Sequence, residues 1–483
     1  MVVYKISGNT LQIVACPPED LRKGDYLLVR DSLSNRSLII QVINTEYANV
    51  PGLLEDILRD SSTEQIVGTE LDILEMKTYM DMIKDAQLFT CKIRKSIIDG
   101  TVSDDISWTP NRTTSRLVQV QDEDLIKLTG VGVGPSINVG TTRSGADVST
   151  MLVDYDGCLN IVAGKKGSGK SHLAKLLLLG LISNGGICVV FDINGEYVNL
   201  GCDSYGGTGE FNKKIIAFTP GSNFRVTLEY VGLGVVLSLM SSVVDLPPSS
   251  ASELRRIWKQ LESSNQLTLH ELRIAIGAIR NDFIREALIR RYDALLSTNF
   301  FTDKRSEALT LENVFDQLSN GGALVINLSK TPPMFRKIIV EFVLRKLSYL
   351  LERWVLRAVF LFAEEAHLYL RETYWEDVVT RMRHLGLFAT FVTNQPDSID
   401  HGIYRQADNI FLFNFTNEND LSIVSRATMV DVDTINIIAK ELSPRHCLIL
   451  GKVVKGFPLI VKVNPLQVKT MGETRLFFVD LIN

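Results

Sequence analysis

Gly164-Lys165-Lys166-Gly167-Ser168-Gly169-Lys170-Ser171 follows the apolar run Leu159–Ala163 and precedes His172 and a leucine-rich segment. The octet has the form GxxxxGK[ST], in the setting that motif requires, a strand before it and a helix after it. Its glycines let the loop curl, so that successive backbone N–H groups converge on phosphate oxygens beside a helix N-terminus. Gly164, Lys165, Lys166, Gly167, Ser168, Gly169 and His172 form the expected cradle. Lys170 is expected to neutralise β/γ-phosphate charge, and Ser171 to ligate a metal. Leu173, Leu176, Leu177 and Leu181 share one face of the following helix. The octet therefore predicts an α/β nucleotide-binding core with ATP and Mg²⁺ as cofactors.

Such a loop needs an acidic partner on a nearby strand. Val359-Phe-Leu-Phe-Ala-Glu364-Glu365-Ala-His367 supplies one, an apolar strand ending in two carboxylates. Glu364 is expected to hold Mg²⁺ or its water, and Glu365 to polarise the attacking water. A glutamate stands at 364 where aspartate is usual, one methylene longer, which leaves contact through water feasible. A third element, Asp192-Ile-Asn-Gly195-Glu196-Tyr197, closes the strand after the loop's helix. Asp192 and Glu196 are expected at the nucleotide edge of the sheet, with Gly195 permitting the turn.

Around these motifs the rhythm alternates. Leu159–Ala163, Ile187–Phe191, Ala323–Leu328, Ala358–Ala363, Phe388–Thr393 and Ile410–Phe413 read as strands separated by helical segments, the pattern of a parallel sheet with crossover helices. A helical insert interrupts it at about 249–317. Leu254, Ile257, Trp258 and Leu261 form its first stripe. Thr268 and Glu271 fit a capping box whose helix carries Leu272, Ile276, Ile279 and Phe283. Residues 1 to about 135 differ. Leu11–Ala15, Tyr26–Arg30, Leu38–Ile43, Cys91–Ile98 and Arg116–Val120, parted by polar turns, suggest a small antiparallel barrel.

At 483 residues, with 45% hydrophobic and 22% charged residues, the chain is long enough for about three domains of ~150 residues and too apolar to be largely disordered. The net charge of −5 provides no global field for nucleic acid or membrane. Acid is concentrated at the front: residues 1–110 carry −6 and the remainder +1. Six scattered cysteines, with no CxxC pair, indicate a reducing compartment without disulfide framework or zinc. The start lacks a signal peptide's apolar core. The apolar stretch Val231–Val244 falls short of the ~20 residues a membrane span needs. A cytoplasmic protein is expected.

The three motifs together resemble the HerA/FtsK branch of P-loop motor ATPases, HerA above all. Gly321-Gly-Ala-Leu-Val-Ile-Asn-Leu328 followed by Arg336-Lys337 resembles that family's segment before the acidic strand. Asn394-Gln395-Pro396 sits where such motors carry a Gln-Arg-Pro sensor, so the resemblance assigns γ-phosphate sensing to Asn394 or Gln395. Arg381-Met382-Arg383-His-Leu-Gly386 resembles the stretch before that sensor, and in such rings an arginine crosses to the neighbour's ATP. Arg383 is the first choice for it and Arg381 the second, with Arg143 in the linker 140–143 a further candidate.

The resemblance implies a RecA-like P-loop ATPase core (136–248 and 321–455) with a helical insert (249–320). A HAS-barrel-like β-barrel domain (1–135) precedes the core, and a strand or tail (456–483) follows it. It further implies an ATP-dependent DNA translocase or helicase, a homo-hexameric ring around double-stranded DNA, with a NurA-type nuclease docking on the barrel face. Lys213-Lys214, after Gly206-Gly207, and Arg336-Lys337, after Pro332-Pro333, are the basic pairs expected to meet DNA. Two other readings share the motifs: a nucleotide-gated scaffold for an effector protein, and a DNA pump of conjugation or packaging type.

Overall fold

The computed structural model describes residues 1–16, 19–32, 34, 36–48, 85–112, 114–128, 134–203, 207–242, 245–368, 380–381, 383–415, 417–427 and 430–469. Gly206, Val243, Val244, Met382 and the tail beyond Lys469, all named above, lie outside the described residues. The chain divides into two compact units. One comprises Met1–Gly134, Gly140–Ser149 and Leu412–Lys462, the other Pro135–Val139, Thr150–Phe411 and Val463–Asn483.

The first unit holds β1 (Val2–Ser7), β2 (Thr10–Ala15), β3 (Tyr26–Asp31), β4 (Arg36–Tyr47), β5 (Gln87–Ile98), β6 (Thr101–Ser103) and β7 (Ser115–Gln119). Their order is β1-β2-β5-β4-β3-β7, antiparallel throughout, with β6 on β5. Alternation does the sorting: Leu11, Ile13, Phe89, Cys91, Ile93, Val29, Leu38 and Ile40 face a common core. Register shifts between Ile39/Ile40 and Val42/Asn44 bend the long β4 over that core. Among the described residues the hydrogen-bonded path is open, so the expected barrel is a half-barrel. Strand β1 has no signature in the sequence because only Val3 of its six residues is buried.

Residues 412–455 were expected in the ATPase core, yet Leu412–Lys462 clusters with the N-terminal strands. Long-range polar contacts within this unit account for it. Arg94 donates to Gln41 Oε1 at 3.0 Å, to Asp431 Oδ2 at 2.8 Å and to Thr434 Oγ1 at 2.7 Å. Gln41 Nε2 and the Tyr26 hydroxyl both donate to the Pro458 carbonyl, at 3.0 and 2.8 Å.

Strands β8 (Ser136–Thr141) and β9 (Asp147–Met151) contain points where the chain changes unit. The second unit is built on β10 (Asn160–Ala163), β11 (Ile187–Asp192), β12 (Ile215–Phe218), β13 (Gly322–Asn327), β14 (Val359–Ala363), β15 (Leu387–Thr393) and β16 (Asn409–Leu412). Their order is β12-β13-β11-β14-β15-β10-β16, and the first six run parallel. The central strands are buried at nearly every position and so on both faces, which is why they read as continuous apolar runs. Buried amides fix the register: Asn160 Nδ2 donates to Thr390 Oγ1 at 3.2 Å and Asn409 Nδ2 to Asn160 Oδ1 at 2.8 Å.

Helix α1 (Lys170–Ser183) follows β10. The insert contains α2 (Pro248–Ser263), α3 (Leu269–Gly277) and α4 (Asp282–Leu296). Leu254, Ile257, Trp258 and Leu261 are buried, and Thr268 Oγ1 accepts the Glu271 N–H at 3.1 Å. Phe283, expected on the same face as Leu272 and Ile276, is instead 89% exposed. The reason is local. Helix α3 ends at Gly277, and Asn281 caps a new helix with a different phase. Helix α5 (Pro333–Glu352) then follows β13. No helix among the described residues is long and apolar enough to cross a membrane, and no described cysteine is in a disulfide.

Candidate active site

Because β10, β11, β13, β14 and β15 run parallel, their C-terminal ends share one edge of the sheet, the edge where open α/β folds bind ligands. Ala163, Asp192, Asn327, Ala363 and Thr393 end there. The octet after β10 forms a loop in which Gly167 (φ 76°) and Gly169 (φ 120°) occupy the left-handed region. Residues with a Cβ avoid that region, so the sequence meets the curl with glycine. Lys165 and Lys166 are exposed, while Ser168 and Lys170 are buried. Lys170 Nζ donates to the Lys165 carbonyl at 3.0 Å, holding the ammonium back over its own loop. Burial pulls its pKa below the usual lysine value, against the opposing pull of Glu365, Glu364 and Glu196.

Ser171 Oγ approaches Glu364 Oε2 at 3.5 Å, and the Tyr197 hydroxyl donates to Glu364 Oε1. Glu364 is 2% exposed. Burial raises its pKa to about 7, opposed by the Tyr197 hydrogen bond. Glu365 follows at φ 47°, in the left-handed region, where a non-glycine residue costs about 1 kcal/mol. Its Oε2 is buried without a hydrogen-bond partner and lies 3.5 Å from His367 Nδ1. Burial raises the Glu365 pKa, opposed by Lys170. His367 Nδ1 is in turn 3.3 Å from Thr393 Oγ1, which accepts the Gln395 N–H at 3.0 Å. A chain of polar contacts thus joins the ends of β14 and β15.

Asn394 is half-buried, with an Oδ1 that has no hydrogen-bond partner, whereas Gln395 is exposed and accepts from Ser398 Oγ at 3.3 Å. Asp192 sits at the expected edge, but Oδ1 and Oδ2 accept the N–H groups of Glu196 and Tyr197, each at 2.9 Å. Glu196 pairs with Lys175 Nζ at 2.8 Å. The His172 ring contacts the Asn464 carbonyl through Nε2 at 2.7 Å, tying the segment after β17 (Leu459–Val463) to the start of α1. Arg383 stands apart. It precedes β15, at the opposite sheet edge, and donates to Asp408 Oδ1 at 3.0 Å. Arg381 is exposed, as is Arg143, which belongs to the other unit.

Sequence reasoning passed over Tyr197, Lys175 and Thr393. Tyr197 carried a signal, since it ends the Asp192–Tyr197 turn. Lys175 is masked by its place in a leucine-rich helix, and Thr393 by its place in a strand. The arrangement offers backbone donors, one ammonium, a hydroxyl and two carboxylates around one loop. Three buried oxygens lack a hydrogen-bond partner there: Ser168 Oγ, Glu365 Oε2 and Asn394 Oδ1. This set suits a polyphosphate with a divalent cation and a water. Among the described residues no cluster of three or more His, Cys, Asp or Glu side chains could hold a metal by itself.

A family model for the central domain of the helicase HerA matches residues 139–347. The DNA double-strand break repair helicase HerA of Sulfolobus acidocaldarius is 21% identical over 504 aligned residues, covering 97% of this chain and 94% of that protein. The protein of that description from Saccharolobus solfataricus is 20% identical over 329 residues, 64% of each chain. Among solved structures, the unbound bacterial conjugative coupling protein TrwBdeltaN70 superposes with a TM-score of 0.53 at 15% identity, covering 73% of this chain and 94% of its own. The plasmid coupling protein TrwB with a non-hydrolysable ATP analogue gives 0.51 at 14% identity, covering 73% and 94%. These two likenesses establish a shared fold. With the glycine-rich loop and the paired carboxylates on one sheet, this chain is similar to the HerA-type P-loop motor ATPases, and its residues 139–347 match the central domain of that family.

Proposed function

We propose that this chain is an ATP-driven DNA translocase or helicase that works as a ring around duplex DNA. The observation that carries the reading is the approach of Ser171 Oγ to Glu364 Oε2 at 3.5 Å beside the glycine-rich loop, with Glu365 next in the chain and its buried Oε2 accepting no hydrogen bond. In this reading the loop's N–H groups and Lys170 bind the β/γ-phosphates, and Ser171 and Glu364 hold Mg²⁺, which screens phosphate charge. Glu365 orients and polarises the attacking water, and Asn394, with its unpartnered oxygen, senses the γ-phosphate. Arg383 lies at the far edge of the sheet, which favours sites completed by a neighbouring copy, as in a homo-hexamer. Support for DNA as substrate comes from the relatives, named DNA double-strand break repair helicases. A nuclease of the NurA type, docked on the acidic N-terminal unit, is the partner this reading names.

DNA stimulation of ATP hydrolysis is the test. Wild type should hydrolyse ATP faster when duplex DNA is added, and Lys170→Ala should lose both binding and turnover. ATP turnover that ignores DNA of every form would favour the nucleotide-gated scaffold instead.

A further inference from the structure

Tyr197 has no role in the reading above, yet the site is built around it. Its side chain is fully buried, and its hydroxyl donates to Glu364 Oε1. The turn that delivers it is heavily specified. Both oxygens of Asp192 accept backbone N–H groups of the turn, including Tyr197's own. Gly195 adopts φ 73°, in the left-handed region, and a Cβ there would meet Ser329 Oγ at 3.4 Å. From the other side, Lys175 of α1 places its ammonium 5.4 Å from the ring centroid while pairing with Glu196. The phenol is therefore fixed both by the turn after β11 and by the helix that carries Ser171.

Glu364 feels the consequence. A glutamate has three rotatable bonds, and its two oxygens exchange freely unless something distinguishes them. Here Tyr197 occupies Oε1, and Oε2 is the atom that faces Ser171. The geometry points to Tyr197 as the positioning residue of the metal site: it pins one oxygen of Glu364 so that the other addresses the cation beside Ser171. The glutamate at 364 fits this arrangement, because its extra methylene over aspartate lets one carboxylate reach both residues. Asp192 acquires a purpose as well, as the clamp of the turn that presents the phenol. The inference rests on the proposed roles of Ser171 and Glu364.

The test separates metal from nucleotide. Mant-ATP binding is measured in EDTA, and Mn²⁺ binding to the nucleotide-loaded protein is followed by electron paramagnetic resonance. Tyr197→Phe, which keeps the ring, should leave metal-free mant-ATP affinity within about twofold and weaken Mn²⁺ about tenfold, the effect of one hydrogen bond to a charged group. In a Glu364→Gln background the same change should shift Mn²⁺ affinity by less than about twofold, since the charged acceptor is already gone. Equal losses with and without metal would reduce Tyr197 to packing, and unchanged Mn²⁺ affinity would leave its hydroxyl idle. Either result overturns the inference. Mant-ATP binding that is indifferent to Lys170→Ala would overturn the underlying reading instead. Should Tyr197→Phe not fold, wild type labelled with ¹³Cζ-tyrosine decides: adding Mg²⁺ to the ATP-bound protein must move a buried tyrosine resonance, and no movement overturns the proposal.

Discussion

Lys175 Nζ lies 2.8 Å from Glu196 Oε2, in an ion pair whose side chains are only 4% and 16% exposed. One partner belongs to α1 and the other to the turn after β11, so the pair locks the phosphate-binding helix to the segment carrying Asp192 and Tyr197. Removing one member of a buried pair leaves a charge in a low-dielectric setting, whereas replacing both with apolar groups of similar volume does not. Lys175→Ala should lower unfolding free energy by about 3 kcal/mol, and Lys175→Met with Glu196→Leu should recover most of it. Urea denaturation of the three proteins checks this. A double variant no more stable than the single one would mean that packing, and not charge, sets the cost.

The acid pair separates binding from chemistry. Glu365→Gln keeps the side chain's shape beside His367 but removes the carboxylate. It should retain ATP with affinity near wild type and lose hydrolysis by roughly 10²-fold or more. Single-turnover hydrolysis with a filter-binding control measures both quantities. If Glu364→Gln retains ATP and loses turnover while Glu365→Gln stays active, the two roles are exchanged.

The elements that decide the fold were legible because their information is local. The octet, the apolar strands and the stripe Leu254, Ile257, Trp258 and Leu261 each declare themselves within a short window. Three features were not. Strand β12, Ile-Ile-Ala-Phe, is a half-buried edge strand of four residues, too short for its apolar run to distinguish a strand from a helical segment. The membership of Leu412–Lys462 depends on Arg94 reaching Asp431, 337 positions away. The contact between Tyr197 and Glu364 spans 167 positions and joins motifs that read as independent. Asp192 illustrates the limit: its place at the sheet edge follows from strand periodicity, but its use as a backbone clamp depends on a turn whose geometry no spacing rule specifies.

Arg383, held by Asp408 at the edge opposite the phosphate loop, is expected to serve a neighbouring copy's site. Arg383→Ala should bind ATP and hydrolyse it ~10³-fold more slowly, because a trans arginine stabilises transition-state charge. Mixing Arg383→Ala with Glu365→Gln protein places both defects at some interfaces and neither at others. Hydrolysis by the mixture should exceed that of either variant alone. A folded Arg383→Ala protein with full activity would refute the role and pass it to Arg381.

Lys213 and Lys214 precede β12, at the sheet edge away from the phosphate loop, while Arg336 and Lys337 open α5 at the same edge as that loop. Arg336 Nε is already donating to the Thr331 carbonyl at 2.8 Å, whereas Lys213 is exposed. The two pairs are separated by the length of a strand, ~20 Å for six residues, so one duplex meets both only if it runs along the strands. A chain at −5 overall binds DNA through such local groups, because the field in a channel is set by its lining. Each phosphate neutralised releases ~0.9 counterions, so replacing Lys213 and Lys214 by alanine should reduce the slope of log binding constant against log salt by about 1.8. DNA-stimulated hydrolysis should fall with it, and basal hydrolysis should stay near wild type. Alanines at 336 and 337 should flatten the slope independently, and the four-site variant should sum the two losses if the duplex follows the strands. Superimposable lines for wild type and the 213/214 variant would remove that pair from the DNA path, leaving binding to the edge that carries the phosphate loop.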